Sequence, residues 1–191
     1  MAVKSTLKSM ALTLFLVCLF GSAVMAGIYA LTKDKIESAN NDKINGAIVS
    51  VMPSDVSNNP ASDQLTQEFK GKTYIVYPGK NKKDEVIAYA IESASPGYEG
   101  DISILVGFKT DGTIHDIAVI SHRETPGLGD KIEPSKSTFS VQFKGKDPAS
   151  FKILVKQDGG EIDAITASTI TSRAYCDAVT NAWEVFKLCN K

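Results

Sequence analysis

No charged residue occurs between Ser9 and Thr32, in the run SMALTLFLVCLFGSAVMAGIYALT. A helix of about 20 apolar residues matches the hydrocarbon thickness of a bilayer, so residues 9–32 read as a transmembrane helix. A cleaved signal peptide competes with that reading, with Val24-Met25-Ala26 as a small-residue cleavage site. Signal-peptide apolar cores run to about 7–15 residues, and this run is longer. Lipoprotein processing at Cys18 is disfavoured by the bulky Val17 before it. Lys4 and Lys8 precede the run with no acid beside them, while Lys33, Asp34, Lys35 and Glu37 follow it. The positive-inside rule then makes residues 1–8 a cytoplasmic tail and places residues 33–191 on the outer side. Cleaved or retained, the rest of the chain is exported.

The exported part has room for one domain of ordinary size. Ile36, Ala39, Ile44, Ala47, Ile48 and Val51 recur at helical spacing, which predicts a linking helix over 33–51 ended by Pro53. The polar stretch from Ser54 to Gln64 reads as a loop. Strands are predicted at 74–77, stopped by Pro78-Gly79, and at 86–91, 102–108 and 114–120; a hairpin turn at Thr110-Asp111-Gly112 joins the last two. A short strand is predicted at 151–155 and a weak helix at 135–143. The clearest helix is 171–188, where Tyr175, Ala178, Val179, Ala182, Trp183 and Phe186 make an apolar stripe suited to core packing. The fold class is α+β: one transmembrane helix, then a domain with an antiparallel sheet flanked by helices.

The chemistry-bearing residues are few. With 21 basic and 22 acidic side chains, no nucleic-acid footprint is called for. The three cysteines (Cys18, Cys176, Cys189) and two histidines (His115, His122) do not make a zinc or iron–sulfur ligand set. Cys176 and Cys189 read either as a disulfide or as two separate thiols. The segment Thr166-Ala167-Ser168-Thr169-Ile170-Thr171 carries four hydroxyls just before the last helix. Thr171 or Ser172 could cap that helix, and a helix start is also an anion site, because unpaired N–H groups and the helix dipole point there. Gly97-Tyr98-Glu99-Gly100 reads as a turn before a strand, and the loop His122 to Lys131 holds Gly127 and Gly129 around Leu128, where glycine would let backbone approach a flat ligand closely. Neither segment is a phosphate loop.

In this order, behind an N-terminal anchor, GYEGDI (97–102), HRETPGLGDKI (122–132) and DAITASTITSRA (163–174) resemble the G subunit of the Rnf (Rsx) electron transport complex. That family shares an FMN-binding domain with the C subunit of sodium-pumping NADH:quinone reductase. The resemblance spans nearly the whole chain. It implies covalent FMN, which a flavin transferase moves from FAD onto the last threonine of a Ser/Thr-Gly-Ala-Thr pattern. Aligned with Thr166-Ala167-Ser168-Thr169, the acceptor is Thr169, with Asp163 and Thr166 as further members of the pattern. Ala167 and Ser168 depart from it, standing where the family has glycine and alanine. Glycine matters there if the backbone needs a positive φ. The resemblance also implies that Glu124, Thr125, Gly127, Leu128 and Gly129 line the flavin and that Thr171 and Ser172 bond its phosphate. Backbone N–H groups near Gly127 to Gly129 would then stabilise negative charge on the reduced ring.

The implied function is electron relay within a complex of the bacterial inner membrane that couples electron transfer between ferredoxin and NAD to ion translocation. The implied partners are the other membrane and peripheral subunits, and the flavin transferase during maturation. No separate acid–base or metal site is implied in this subunit. Two other readings remain: the corresponding subunit of the sodium-translocating reductase, and a membrane-tethered binding or sensory module without redox turnover.

Overall fold

The computed structural model describes residues 6–190, and Lys4 therefore lies outside the described residues. The charge-free run lies in a single helix, α1 (Leu7–Val51), long and apolar enough to cross a membrane by length and composition. The chain divides into two units, Met1–Asp42 and Lys43–Lys191. No described residue of the first unit is buried.

The second unit is built on five strands: β1 (Leu65–Phe69), β2 (Lys72–Lys80), β3 (Val86–Pro96), β4 (Asp101–Lys109) and β5 (Ile114–Ser121). They pair antiparallel in sequence order. Alternation along each strand sends side chains to opposite faces. Ile104, Val106 and Phe108 of β4 face one way, into a core closed by Tyr175, Val179, Ala182 and Phe186 of the last helix, α2 (Thr169–Cys189). Leu105 faces the other way, with Tyr77 and Ala90, onto Ile48, Val51 and Met52. Gly107 is where backbone meets backbone on that second face, since a Cβ there would overlap the carbonyl of Val51.

The β4–β5 hairpin forms as its sequence predicts, with Gly112 at φ +91° and Lys109 N–H bonded to the Thr113 carbonyl at 3.0 Å. Three expectations are corrected and one strand is added. β2 runs through Pro78-Gly79 to Lys80, with a register shift at Gly79/Lys80. The Pro78 carbonyl accepts Asn58 Nδ2 at 3.1 Å, on the side of β2 that β1 has already left, so the missing proline N–H costs no ladder bond. β1 lies just beyond the predicted loop; its side chains are mostly exposed, so it lacks a strand's apolar alternation. Residues 151–155 make one bridge, Val155 to Ile162, instead of a strand. Residues 135–143 supply only a 3-10 turn, Ser140–Phe143. Further 3-10 turns occur at Gly129–Ile132 and Lys156–Asp158.

Candidate functional site

Three segments meet at the start of α2: the β3–β4 turn at Gly97–Gly100, the chain leaving β5 from His122 to Gly129, and the hydroxyl segment. They enclose a pocket of about 510 Å³, within the range typical of small-molecule sites. It is lined by Tyr98, Glu124, Thr125, Leu128, Gly129 and Ala167 through Thr171.

Glu124 holds these segments together. It is 5 % exposed. Its Oε1 accepts the backbone N–H groups of Tyr98 (2.8 Å) and Glu99 (3.3 Å), and its Oε2 takes the Thr171 hydroxyl at 2.5 Å. A buried carboxylate is tolerated only with such partners. Both flanking glycines make room for it. A Cβ on Gly97 would collide with Oε1, and one on Gly129 would stand 2.6 Å from Oε2 and 3.0 Å from Thr171 Oγ1. Thr125 Oγ1 donates to Glu99 Oε1 at 2.7 Å, a second tie between the turn and the loop. On the far side, Glu124 N–H donates to His122 Nδ1 at 3.1 Å.

The hydroxyl segment enters the helix through a turn. Ser168 N–H bonds the Ile165 carbonyl at 3.0 Å, and Ala167, the third residue of that turn, has φ +61°. This is the position of a type II turn that favours glycine. Helix α2 therefore starts at Thr169, two residues earlier than its apolar stripe indicates, and the cap position is Ser168, whose side chain makes no capping bond. The first helical hydrogen bond runs from Ser172 N–H to the Ser168 carbonyl at 3.0 Å. The N–H groups of Thr169, Ile170 and Thr171 thus have no intrahelical partner, and all three residues line the pocket.

Of the residues singled out in the sequence, Glu124, Thr125, Leu128, Gly129, Thr169 and Thr171 are brought together. Gly127, Asp163, Thr166 and Ser172 are not in the wall. Gly127 is exposed with φ +78°, so it is needed for the turn of the loop. Asp163 is exposed and pairs with Lys156 at 2.7 Å, and Thr166 is exposed in the turn. Ser172 is fully buried; its Oγ donates to the Ser168 carbonyl and accepts the Ile165 N–H. Thr171 donates to Glu124. Both hydroxyls expected on a phosphate are therefore committed to the fold, and neither residue caps the helix. Tyr98, Ile170, Ala167 and Ser168 are pocket residues that sequence reasoning did not assign. Tyr98 lies inside a quoted motif, but its direction depends on the turn.

The wall suits a flat aromatic group with an anionic tail. Tyr98, Leu128 and Ile170 are 67 %, 42 % and 51 % exposed, an unusual share of large apolar surface for one pocket. Among the described residues, no lysine or arginine is in the lining, so an anion there would be balanced by the helix start. Thr169 is half-buried at that helix start. These features fit FMN, whose ring and phosphate would need an apolar wall and a helix start of this kind.

Known proteins match along the chain. The profile of the FMN-binding domain family matches residues 97–184, and that of the RnfG N-terminal region matches residues 1–46. The chain is 36 % identical to the G subunit of the ion-translocating oxidoreductase complex of Pasteurella multocida, over 88 % of each chain. It is 35 % identical to the G subunit of the same complex from Shewanella piezotolerans, over 92 % of this chain and 87 % of the relative. Among solved structures, the C subunit of the Na(+)-translocating NADH-quinone reductase of Parabacteroides distasonis aligns with a TM-score of 0.58 at 20 % identity, covering 84 % of this chain and 97 % of that one. That likeness shows a shared fold.

Proposed function

Because the chain belongs to the family of G subunits of ion-translocating oxidoreductase complexes, we propose that it is a membrane-anchored electron-transfer subunit with FMN attached to Thr169. The anchor is the helix over residues 9–32, followed by the linking helix, 33–51, within an outer domain, 33–191; residues 1–8 stay in the cytoplasm. Lysines before the apolar run support that orientation in the inner membrane. The partners are the other subunits of the complex, with a flavin transferase acting during maturation.

The observation that carries this reading is the position of Thr169. It is the first residue of α2, half-buried, in the wall of a 510 Å³ pocket that also exposes Tyr98, Leu128 and Ile170. Attachment would form a bond between Thr169 Oγ1 and the FMN phosphorus of FAD. The bond from that phosphorus to the AMP phosphate breaks, and AMP leaves; the hydroxyl proton is released with it. The free N–H groups of the first helical turn would donate to the phosphoryl oxygens. FMN supplies one- and two-electron chemistry; the protein holds the ring, excludes water from one side of it and sets its electrostatic surroundings. A covalent link keeps the group from being lost to an open aqueous compartment. The sodium-pumping reductase has a subunit of the same fold at 20 % identity, whereas the G subunits are 36 % and 35 % identical to this chain.

The test is co-expression of the full chain with a flavin transferase, followed by a denaturing gel scanned for flavin fluorescence and mass mapping of the peptide around Thr169. The wild type is expected to fluoresce and Thr169→Ala to stay dark. A dark wild type, beside a labelled control substrate, overturns the reading in favour of a non-redox binding or sensory module. A fluorescent Thr169→Ala moves the attachment site.

A further inference from the structure

We infer that the Glu124 carboxylate lowers the reduction potential of the flavin held in this pocket, acting as a buried negative charge in its wall. The inference rests on the reading that the pocket carries FMN.

Reducing a flavin adds electrons, and a fixed negative charge nearby opposes that addition. Three observations make Glu124 such a charge. It is buried and lines the pocket, so little water screens it. Among the described residues, the lining contains no lysine or arginine to cancel it. Its position is held by three hydrogen bonds, from Tyr98 N–H, Glu99 N–H and the Thr171 hydroxyl. The two backbone donors cannot reverse direction, so Oε1 is held as an acceptor. Glu99 is exposed and tied to Thr125, where solvent weakens its field, and Asp130, next to Gly129, is paired with Lys136 at 3.2 Å. The unpaired N–H groups of α2 oppose the carboxylate and would be taken up by the phosphoryl oxygens. The carboxylate therefore adds a negative contribution to the field in the pocket.

The geometry also supplies a clean variant. In Glu124→Gln, Oε1 keeps both backbone N–H groups, and Nε2 donates to Thr171 Oγ1, which can accept. Shape and hydrogen bonds persist while the charge is removed. Thr171→Val does the reverse, keeping the charge and removing one of the donors that spread it.

The experiment is a dye-mediated redox titration of the full-length, flavin-loaded protein in detergent, followed by flavin absorbance, beside thermal melts. Glu124→Gln is compared with the wild type in flavin content and melting temperature. At a given potential it should raise the ratio of reduced to oxidised flavin about tenfold, which is about 30 mV for a two-electron couple. Thr171→Val is expected to shift the potential in the opposite direction. A loaded Glu124→Gln at the wild-type potential overturns the inference and leaves the FMN reading intact. If Glu124→Gln takes up no flavin, Thr171→Val decides: a lowered potential supports the inference, and an unchanged or raised one overturns it. If both folded variants stay empty, Glu124 serves binding and the inference is overturned. A wild type without flavin overturns the FMN reading and the inference with it.

Discussion

His122 and Glu124 are joined through the backbone: His122 Nδ1 accepts the Glu124 N–H at 3.1 Å, while His122 Nε2 stands 2.7 Å from Glu133 Oε1. A backbone N–H can only donate, so the ring proton sits on Nε2 and is given to Glu133. The imidazole thus supports the carboxylate of the pocket from behind. His122→Ala leaves a buried N–H unpaired and is expected to cost about 1–3 kcal/mol of stability by denaturant unfolding. His122→Asn, whose Oδ1 can accept in place of Nδ1, should recover part of it. Nitrogen NMR of the wild type should show the Nε2–H tautomer.

The same contact governs an acid limb of the stability curve. The His122 hydrogen bond, then Lys136, holds the Glu133 carboxyl below its usual value of 4.5. A pKa depressed in the folded state contributes stability that is present above the unfolded value and is lost as pH falls through the folded one. Wild-type protein should therefore lose stability below pH about 4.5 more steeply than Glu133→Gln, compared by urea unfolding across that range. Parallel slopes would remove Glu133 from the account.

Gly127 and Gly129 separate two uses of glycine within one loop. Gly127→Ala meets open space but has φ +78°, so its cost is the left-handed backbone, about 1–2 kcal/mol. Gly129→Ala puts a methyl 2.6 Å from Glu124 Oε2 and 2.8 Å from Glu124 Cβ. Glu124 can swing away only by releasing Tyr98, Glu99 and Thr171. Gly129→Ala should cost about 1–3 kcal/mol and impair flavin loading at Thr169, while Gly127→Ala lowers stability and leaves loading intact. Melts and flavin content, measured together, check both.

Much of the fold was legible because its signals are local. The charge-free run, the Asp111-Gly112 turn and the α2 stripe each specify an element without distant partners, and they appear where the residues indicate. β1 was not legible, since five mostly exposed residues become a strand only because β2 offers an edge. In the site, the three motifs do converge, but the roles of the hydroxyls did not follow from their order. Thr169, Thr171 and Ser172 have the same chemistry in sequence. Only the positive φ at Ala167 and the helix start behind it aim Thr169 at the pocket and turn Thr171 and Ser172 inward.

The choice left open for the cysteines is settled by α2. Cys176 and Cys189 lie on this one helix, about 20 Å apart at roughly 1.5 Å per residue, whereas a disulfide needs Cα atoms within about 7 Å. Both are free thiols. Burial, the largest cause, pushes the Cys176 thiol up to about 12. Alkylation of folded protein should modify Cys189, which is half-buried, well before Cys176, and non-reducing mass mapping should show no link between their peptides.

Ala167 offers the sharpest test of how the attachment segment is built. Its φ of +61° places a Cβ in the left-handed region, where an L side chain costs about 1–2 kcal/mol. Glycine removes that cost but adds freedom to the unfolded chain, which returns part of the gain. Ala167→Gly should therefore stabilise the outer domain by about 0.5–1 kcal/mol, seen as a higher denaturant midpoint with an unchanged slope. Ala167→Val, β-branched in the same backbone, should lower the midpoint. Because the turn sets where α2 begins, flavin loading at Thr169 should rank in the same order, with glycine highest and valine lowest. A glycine variant no more stable than the wild type would mean that the turn relaxes around alanine, and the departure at residue 167 would then carry no penalty.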